Sequence, residues 1–333
     1  MKLSNIGEFG LIRRFSPAFL KDLPAGVTGI GDDCAVLPWT KGRLLLVTTD
    51  LLVEDVHFLK AGIGARDLGY KSLAVNLSDI AAMGGTPLSA FLSIGLPRDM
   101  DVPWLDEFFR GFASLARRAK VRLLGGDTTG SPGPLVINVA LLGDARRGRV
   151  KYRSGAEEGD FICVTGFLGD SGGGLRVLLE DRPLGRDERH LVRSHSRPRA
   201  HLAEGAWLAA RGGVTAMMDV SDGIDSDLRR IMERSHCGAT VDLQAIPVSA
   251  PLKRAAEKYG WNAVELAAAG GEDYCLLATV RPSRLAKISA AFARRFGRPL
   301  FRIGTIAGPK TGLSYELDGR PAVLKRHGFD HFG

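Results

Sequence analysis

Apolar runs in this sequence repeatedly end in small residues followed by a carboxylate. The pattern occurs six times, and its acidic residues are Asp32 with Asp33, Asp50, Asp79, Asp127, Asp219 with Asp222, and Glu272 with Asp273. Taken singly, each carboxylate is explained by a helix cap or a glycine turn, where Asp is common. Taken together, they predict a group of carboxylates that meet at one edge of a sheet, because most of them stand where a strand-like run ends.

Strand-like and helical patterns alternate along the chain. Residues 44–50 and 89–97 are apolar and rich in strand-forming types, whereas residues 67–84 and 104–119 carry the spacing of helices. Such alternation predicts an α/β (α+β) fold.

A basic segment at residues 145–153 separates two halves with the same organisation. Strand-like sequence resumes at residues 160–166, and it again alternates with helical patterns. We therefore predict two domains of similar size, residues 1–147 and 148–333.

The composition narrows the class of protein. The 333 residues are 45% hydrophobic and 25% charged, which is typical of a globular chain with material for two cores. No apolar stretch is long enough to span a membrane and no signal-peptide pattern opens the chain, so we expect a cytoplasmic protein with no membrane partner. The four cysteines form no CxxC pair, which argues against a zinc site or a disulfide framework.

Basic residues outnumber acidic residues by 45 to 37, and the net charge is +8. This balance favours anionic partners such as nucleotides or phosphorylated metabolites. The excess is concentrated in residues 145–153 and 186–201, which we interpret as solvated faces. Because no helix-turn-helix, zinc-finger or RNA-binding pattern accompanies them, we expect no nucleic-acid partner.

The acidic residues suggest a chemistry. Carboxylates that converge repel one another, and one of them takes up a proton unless a cation neutralises the group. Mg²⁺ is held by a few carboxylates, while water and substrate phosphates fill its remaining positions. The neighbouring glycines let backbone N–H groups approach phosphate oxygens closely. These features predict metal-assisted phosphoryl transfer.

Two local motifs offer alternatives. GARDLGYKS, residues 64–72, is close to a nucleotide-binding P-loop, but Lys71 stands one residue late and lies within a helical pattern. GDSGG, residues 169–173, fits the nucleophile elbow of a hydrolase and makes Ser171 a candidate nucleophile. A serine hydrolase therefore stays open as an alternative, although it leaves the carboxylates without a role.

Longer motifs resemble those of thiamine-monophosphate kinases in both order and spacing. They include GIGDDCAVL (29–37), TTDLLVEDVHF (48–58), DLGYKSLAVNLSDIAAMGGTP (67–87), LLGGDTT (123–129), DVSDGIDSDL (219–228), GGEDYCLL (270–277) and the terminal GFDHF. The resemblance extends from Gly7 to Phe332. That family belongs to the aminoimidazole ribonucleotide synthetase-like superfamily, which implies a two-domain fold with mixed sheets packed against helices. Another ATP-dependent synthetase of the superfamily is the nearest alternative.

The resemblance implies an activity and a division of labour. Thiamine-monophosphate kinases transfer the γ-phosphoryl group of ATP to thiamine monophosphate, with several Mg²⁺ ions, and release thiamine diphosphate and ADP. Residues 1–147 would bind ATP and Mg²⁺ and form a homodimer, and residues 148–333 would complete the active site. Because a phosphate monoester is already largely ionised near neutral pH, direct in-line transfer requires neither a general base nor a covalent intermediate.

The resemblance also implies roles for individual residues. The implied Mg²⁺ ligands are Asp33, Thr48, Thr49, Asp50, Asp79, Asp127, Asp219 and Asp222. Among these, catalysis is assigned to Asp33, Asp50, Asp127 and Asp219. The implied ATP contacts are Gly126, Asp127, Arg153 and Ser221. The implied contacts with the thiamine substrate are His57, Glu272 and Phe329.

Asp32 and Asp33 adjoin, and side chains alternate in direction along an extended backbone. We therefore expect Asp33 to face the metal ions and Asp32 to cap or brace the glycine turn that precedes it.

Overall fold

The computed structural model describes residues 5–325 and residue 328. Within them, one β-sheet is built from residues 35–146 and a second from residues 161–322. Helices pack against both sheets, so the predicted α/β (α+β) class is confirmed. The change of sheet falls near the predicted domain boundary at residue 147, and the exact boundary stays a prediction.

The first sheet is mixed. Its strands within the described residues are β1 (Ala35–Pro38), β2 (Arg43–Val53), β3 (Thr86–Pro97), β4 (Arg122–Ser131) and β5 (Val136–Arg146). They lie in the order β1-β2-β5-β3-β4, and only β3 and β4 pair in parallel. Strand β4 therefore forms one edge of this sheet, three strand spacings from β2.

Two helices cover one face of the first sheet. The helices of this half are α1 (Gly7–Leu20), α2 (Ala65–Ala82) and α3 (Val102–Ala119). Helices α2 and α3 share an apolar core with the sheet and approach each other closely. The approach requires glycine, because a Cβ at Gly69 would overlap the carbonyl of Phe108 and one at Gly111 would overlap the carbonyl of Arg66.

The opposite face of the first sheet carries exposed apolar side chains. Leu51 on β2 and Phe91 on β3 are 50% and 41% exposed, and Leu124 on the edge strand β4 is 60% exposed. Along β2 the buried and exposed residues alternate, as expected for a strand that packs on one face only. The exposed apolar residues on this second face are unusual for a surface and suggest that another surface covers them.

The second sheet has helices on both faces. Its strands within the described residues are β6 (Phe161–Val164), β7 (Val214–Asp219), β8 (Gly238–Asp242), β9 (Leu276–Val280), β10 (Phe301–Ala307), β11 (Leu313–Leu317) and β12 (Arg320–Ala322). They lie in the order β12-β11-β8-β10-β6-β9-β7. Strand β9 is buried along its whole length, because apolar clusters lie on both sides of it.

The helices of the second half connect these strands. They are α4 (Asp170–Leu179), α5 (Arg186–Ser196), α6 (Leu202–Ala209), α7 (Ile224–Ser235), α8 (Ala250–Tyr259), α9 (Ala263–Ala269) and α10 (Pro282–Phe296). Across residues 5–325, no helix has both the length and the apolar character needed to cross a bilayer.

Helix α2 joins the two halves. Most of its residues are buried, and small side chains at its end, Ala81 and Ala82, pack against Leu208 and Ala209 around α6. Gly205 makes this contact, since a Cβ there would overlap the carbonyl of Ala81. A helix that is enclosed on all sides shows little amphipathic pattern, which explains why the apolar residues of α2 are not confined to one face.

Candidate active site

A large cleft lies between the two halves of the molecule. Its volume is about 1430 Å³, and α1, β2, α2, α4, and the loops after β7 and α9 contribute to its walls. Five of the predicted carboxylates, Asp33, Asp50, Asp79, Asp219 and Asp222, are on the cleft wall. They do not meet at one edge of a sheet as expected, because Asp50 lies within β2, Asp79 lies within α2 and Asp219 belongs to the second sheet.

Three of these carboxylates form a tight cluster. Asp33 precedes β1, Asp79 lies on α2 and Asp219 ends β7, and one oxygen of each lies within 4.8 Å of the others. Hydroxyl groups orient two of them. Thr48 donates a hydrogen bond to Asp79 Oδ2, and Ser78 donates one to Asp219 Oδ2 at 2.5 Å.

The cluster favours protons strongly when no cation is bound. Burial, followed by repulsion from Asp33, raises the pKa of Asp219 to about 8. Burial and the charges of Asp50, Asp219 and Asp33 raise the pKa of Asp79 well above its ordinary value. Burial and Asp222 raise the pKa of Asp50 to about 6. A group of carboxylates that resists ionisation in this way is the environment that a divalent cation would relieve.

One buried oxygen in the cluster has no hydrogen-bond partner among the described residues. It is Asp33 Oδ2, whereas Asp33 Oδ1 accepts a hydrogen bond from Arg153 Nη2 at 2.7 Å. Buried polar atoms are nearly always satisfied, so an orphaned carboxylate oxygen beside two further carboxylates calls for another partner. An all-oxygen set of this kind fits a hard divalent cation such as Mg²⁺.

Asp32 and Asp33 have different roles, but the role of Asp32 differs from the one expected. Its Oδ1 accepts a hydrogen bond from the backbone N–H of Arg153 at 2.6 Å. Asp32 therefore ties the segment before β1 to the segment that leads into the second sheet, rather than bracing its own glycine turn. The sequence could not show this contact, because 121 residues separate the two partners.

Ser221 and Asp222 stand on the cleft wall just after β7. Asp227, in the first turn of α7, accepts hydrogen bonds from the backbone N–H groups of Ser221 at 3.1 Å and Asp222 at 3.2 Å. This cap fixes the loop beside Asp219. Arg153 and Ser221 thus both lie near the cluster, as their predicted contact with ATP requires.

Gly126 and Asp127 lie apart from the cluster, whereas Thr49 is on the wall of the same cleft. Gly126 has a φ of +152°, and a Cβ there would overlap the carbonyl of Leu92 on β3. Asp127 is exposed on the edge strand β4, opposite Ser93. Three strand spacings of about 4.8 Å separate β4 from β2, or roughly 14 Å. Within one chain, the structure therefore does not bring Asp127 to the other carboxylates.

Thr49 points to the exposed face of the first sheet. Its Oγ1 accepts a hydrogen bond from Asn138 Nδ2 at 2.9 Å, whereas Thr48 on the other face reaches Asp79. Cross-strand pairing joins Thr49, Ala140, Phe91 and Gly125, and Asp127 follows Gly125 by two residues on the same face. The predicted metal ligands on the first sheet thus fall into two sets, with Thr48 and Asp50 on one face and Thr49 and Asp127 on the other.

The structure describes two of the three residues predicted to contact the substrate. His57 lies on the cleft wall, and its Nδ1 accepts a hydrogen bond from the backbone N–H of Val53 at 3.0 Å. Glu272 also lines the cleft and forms an ion pair with Lys71. Phe329 lies outside the described residues.

Two residues near Glu272 were not predicted. Lys71 is fully buried on α2, and His195 is buried on α5 with its Nδ1 at 3.1 Å from Glu272 Oε2. Residues 186–201 were interpreted as a solvated face, but α5 turns Glu188, Leu191 and His195 inward. Their spacing of three and four residues was the available signal, and the surrounding arginines obscured it.

The geometry around Ser171 does not match a hydrolase triad. GDSGG does follow a strand, and four of its residues form the start of α4. Ser171 Oγ is 3.0 Å from His195 Nδ1. However, the same nitrogen also faces Glu272, whereas a triad uses opposite nitrogens of the imidazole for the nucleophile and the acid. Ser171 is also only 1% exposed.

Comparisons with known proteins identify the family. The family model of the AIR synthase related protein N-terminal domain matches residues 31–145, and that of the C-terminal domain matches residues 157–315. The thiamine-monophosphate kinase of Salmonella typhimurium is 39% identical over 328 residues, which cover 98% of each chain.

Two solved structures are similar over nearly the whole chain. AaThiL complexed with AMPPCP and TMP has a TM-score of 0.86 at 32% identity and covers 99% of both chains. Thiamine-monophosphate kinase from Stenotrophomonas maltophilia K279a has a TM-score of 0.76 at 37% identity, covering 95% of this chain and 98% of that one. Since the likeness extends over both sheets and the cleft between them, the chain is an enzyme of the thiamine-monophosphate kinase family.

Proposed function

We propose that this protein transfers the γ-phosphoryl group of ATP to thiamine monophosphate and releases thiamine diphosphate and ADP. The observation that carries the proposal is the buried cluster of Asp33, Asp79 and Asp219 in the cleft between the sheets. The similarity to AaThiL, solved with AMPPCP and TMP, supports the choice of both substrates.

The residues suited to hold Mg²⁺ are the carboxylates of the cleft. Asp33, Asp79 and Asp219 would form the centre of the site, and Asp50, Asp222 and Thr48 flank it. With Mg²⁺ held by these residues, the site would supply positive charge to offset the charge of the substrate phosphates.

The chain's own contribution is to place two anionic substrates side by side. Arg153 already pairs with Asp33 and lies on the cleft wall, so its guanidinium is positioned to meet a phosphate oxygen. The acceptor is a phosphate monoester that is largely ionised near neutral pH, so no residue has to remove a proton from it. Positioning and charge stabilisation account for most of the catalysis of phosphoryl transfer, and we propose direct in-line transfer without a covalent intermediate.

We further propose that the enzyme works as a homodimer through its first sheet. The exposed face carries Leu51 and Phe91, and β4 carries the exposed Leu124 and offers an edge that is free for pairing among the described residues. Asp127 and Gly126 lie on this edge. A second copy seated there could deliver its Asp127 to the cleft of the first, which would reunite the two sets of predicted ligands.

The activity is tested by turnover with purified protein. We expect wild-type protein to form thiamine diphosphate from ATP and thiamine monophosphate only when Mg²⁺ is present. Asp79→Asn should lower kcat by at least about a hundredfold, because it removes a charge from the centre of the cluster. Asp99→Asn, at an exposed position away from the cleft, is the matched control and should keep full activity. An Asp79→Asn variant with near-normal turnover at saturating Mg²⁺ would remove the cluster from the reaction.

The dimer is tested by mixing two inactive variants. Asp33→Asn and Asp127→Asn are each expected to be inactive. If a site takes Asp33 from one copy and Asp127 from the other, mixed dimers contain one intact site, and random reassortment restores about a quarter of wild-type activity. If both residues serve the same cleft of one chain, every site carries a substitution and the mixture stays inactive.

A further inference from the structure

Lys71 stands out because its ammonium group is fully buried within a helix that is itself largely buried. It belongs to α2, whose neighbouring residues are buried as well. Its Nζ lies 2.8 Å from Glu272 Oε1 and 3.0 Å from Glu272 Oε2. A buried lysine is costly unless it is paired, so the chain keeps this one for its contact with Glu272.

Glu272 is held by its backbone as well as by its side chain. Its φ is +63°, in the left-handed region that residues other than glycine seldom adopt. Its N–H donates to the carbonyl of Ser221 at 2.6 Å, and Gly271 beside it must be glycine, because a Cβ would overlap that same carbonyl. Strained backbone of this kind persists where the surroundings determine it, and it is common at binding sites.

His195 completes the set of partners. Its Nδ1 lies 3.1 Å from Glu272 Oε2 and 3.0 Å from Ser171 Oγ. Burial, followed by the charge of Lys71, lowers the pKa of His195, so the ring is neutral near pH 7. Since an ionised carboxylate can only accept hydrogen bonds, the Nδ1 hydrogen faces Glu272.

The result is a carboxylate that is fixed in place and stays ionised. Burial alone would raise the pKa of Glu272, but Lys71 and His195 together lower it to about 2. The Glu272 side chain is nevertheless 25% exposed and lines the cleft. An ionised oxygen is thus presented to the cleft on a support drawn from α2, α5 and the loop after α9.

We propose that Lys71 and His195 are positioning residues, which hold the Glu272 carboxylate so that it accepts hydrogen bonds from the ring-bearing end of the phosphorylated substrate. The proposal rests on the proposed function, in which that substrate is thiamine monophosphate, whose rings carry an amino group and a positive charge. Because Lys71 already balances the charge of Glu272, recognition depends on where the oxygens point more than on net charge. Misplacing them should weaken binding of this substrate and leave ATP binding unchanged.

The test separates the Michaelis constants of the two substrates. Lys71→Met keeps the length of the side chain but removes the charge, and His195→Leu removes the hydrogen-bond donor. Each is expected to raise KM for thiamine monophosphate roughly tenfold or more, the effect of losing a hydrogen bond to a charged group, with KM for ATP changed less than about twofold. Arg193→Ala, at an exposed position on the same helix, is the matched control and should leave both constants unchanged.

A conservative variant distinguishes positioning from folding. The side-chain amide of Asn can place an N–H close to where the imidazole Nδ1 stands, so His195→Asn should show much less of the rise in KM that His195→Leu causes. If Lys71→Met does not fold, the two His195 variants still decide the question.

Three results would overturn the proposal. The first is folded variants with unchanged KM for thiamine monophosphate. The second is equal losses for both substrates, which indicate a merely structural role, and the third is no difference between His195→Asn and His195→Leu. A wild-type protein that does not turn over thiamine monophosphate would instead refute the proposed function, and with it this extension.

Discussion

Replacing Asp219 by Asn should remove much of the stability loss that the metal-free wild-type protein undergoes as the pH rises. In the folded protein, burial and the charge of Asp33 raise the pKa of Asp219 to about 8, compared with 3.8 ordinarily. The folded state therefore holds a proton that the unfolded state releases, and stability is lost as the pH rises from about 4 to about 8. At about 1.4 kcal/mol for each pH unit, the loss from pH 5 to pH 8 is about 4 kcal/mol.

Thermal unfolding in EDTA measures this loss. At about 2 °C for each kcal/mol, the wild-type midpoint should fall by roughly 8 °C more than that of Asp219→Asn between pH 5 and pH 8. Mg²⁺ should restore the wild-type midpoint, increasingly so at higher pH, because its ligands must lose their protons to bind it. Asp219→Asn should show a much smaller response to Mg²⁺, whereas the exposed Asp99→Asn should behave as wild type. Equal pH dependence in wild type and Asp219→Asn would refute the reasoning.

Three further outcomes are expected. Leu124→Glu, at a 60% exposed position on β4, should shift the protein towards a monomer in sedimentation, whereas an unchanged dimer would remove this edge from the interface. Gly69→Ala should lower the free energy of unfolding by about 3 kcal/mol in denaturant titrations, since the added Cβ overlaps the carbonyl of Phe108, and a smaller loss than about 1 kcal/mol would show that α2 and α3 can separate. Ser171→Ala should retain most phosphotransferase activity, whereas a serine hydrolase would lose its activity altogether.

The sequence predicted the fold class and the convergence of several carboxylates for a physical reason. Asp79 and Asp219 stand at or near the ends of long apolar segments, and such segments are buried together. The helix through Lys71 was also predicted, and it is confirmed as α2. What the local pattern could not show was that α2 is enclosed by both halves, since that depends on Gly205 and its neighbours far along the chain.

The separation of Asp127 from the cluster depends on strand order, which local sequence does not encode. The segment VRLLGGD, residues 121–127, has the pattern of a strand that ends in a carboxylate, as several of the other acidic motifs do. The topology places this strand, β4, at the outer edge of the first sheet beyond β3. His195 was missed for a different reason. Its helix is basic on the solvent side, and the charge obscured the few residues that face inward. The roles of Gly126, Asp127 and Phe329 stay predictions.

Phosphorus NMR of the complete reaction tests the central claim most directly. With ATP, thiamine monophosphate and Mg²⁺, we expect ADP and thiamine diphosphate to appear in equal amounts, with no inorganic phosphate. Omitting Mg²⁺ or thiamine monophosphate should leave ATP intact. Release of inorganic phosphate without thiamine diphosphate, or consumption of ATP without the acceptor, would contradict the account.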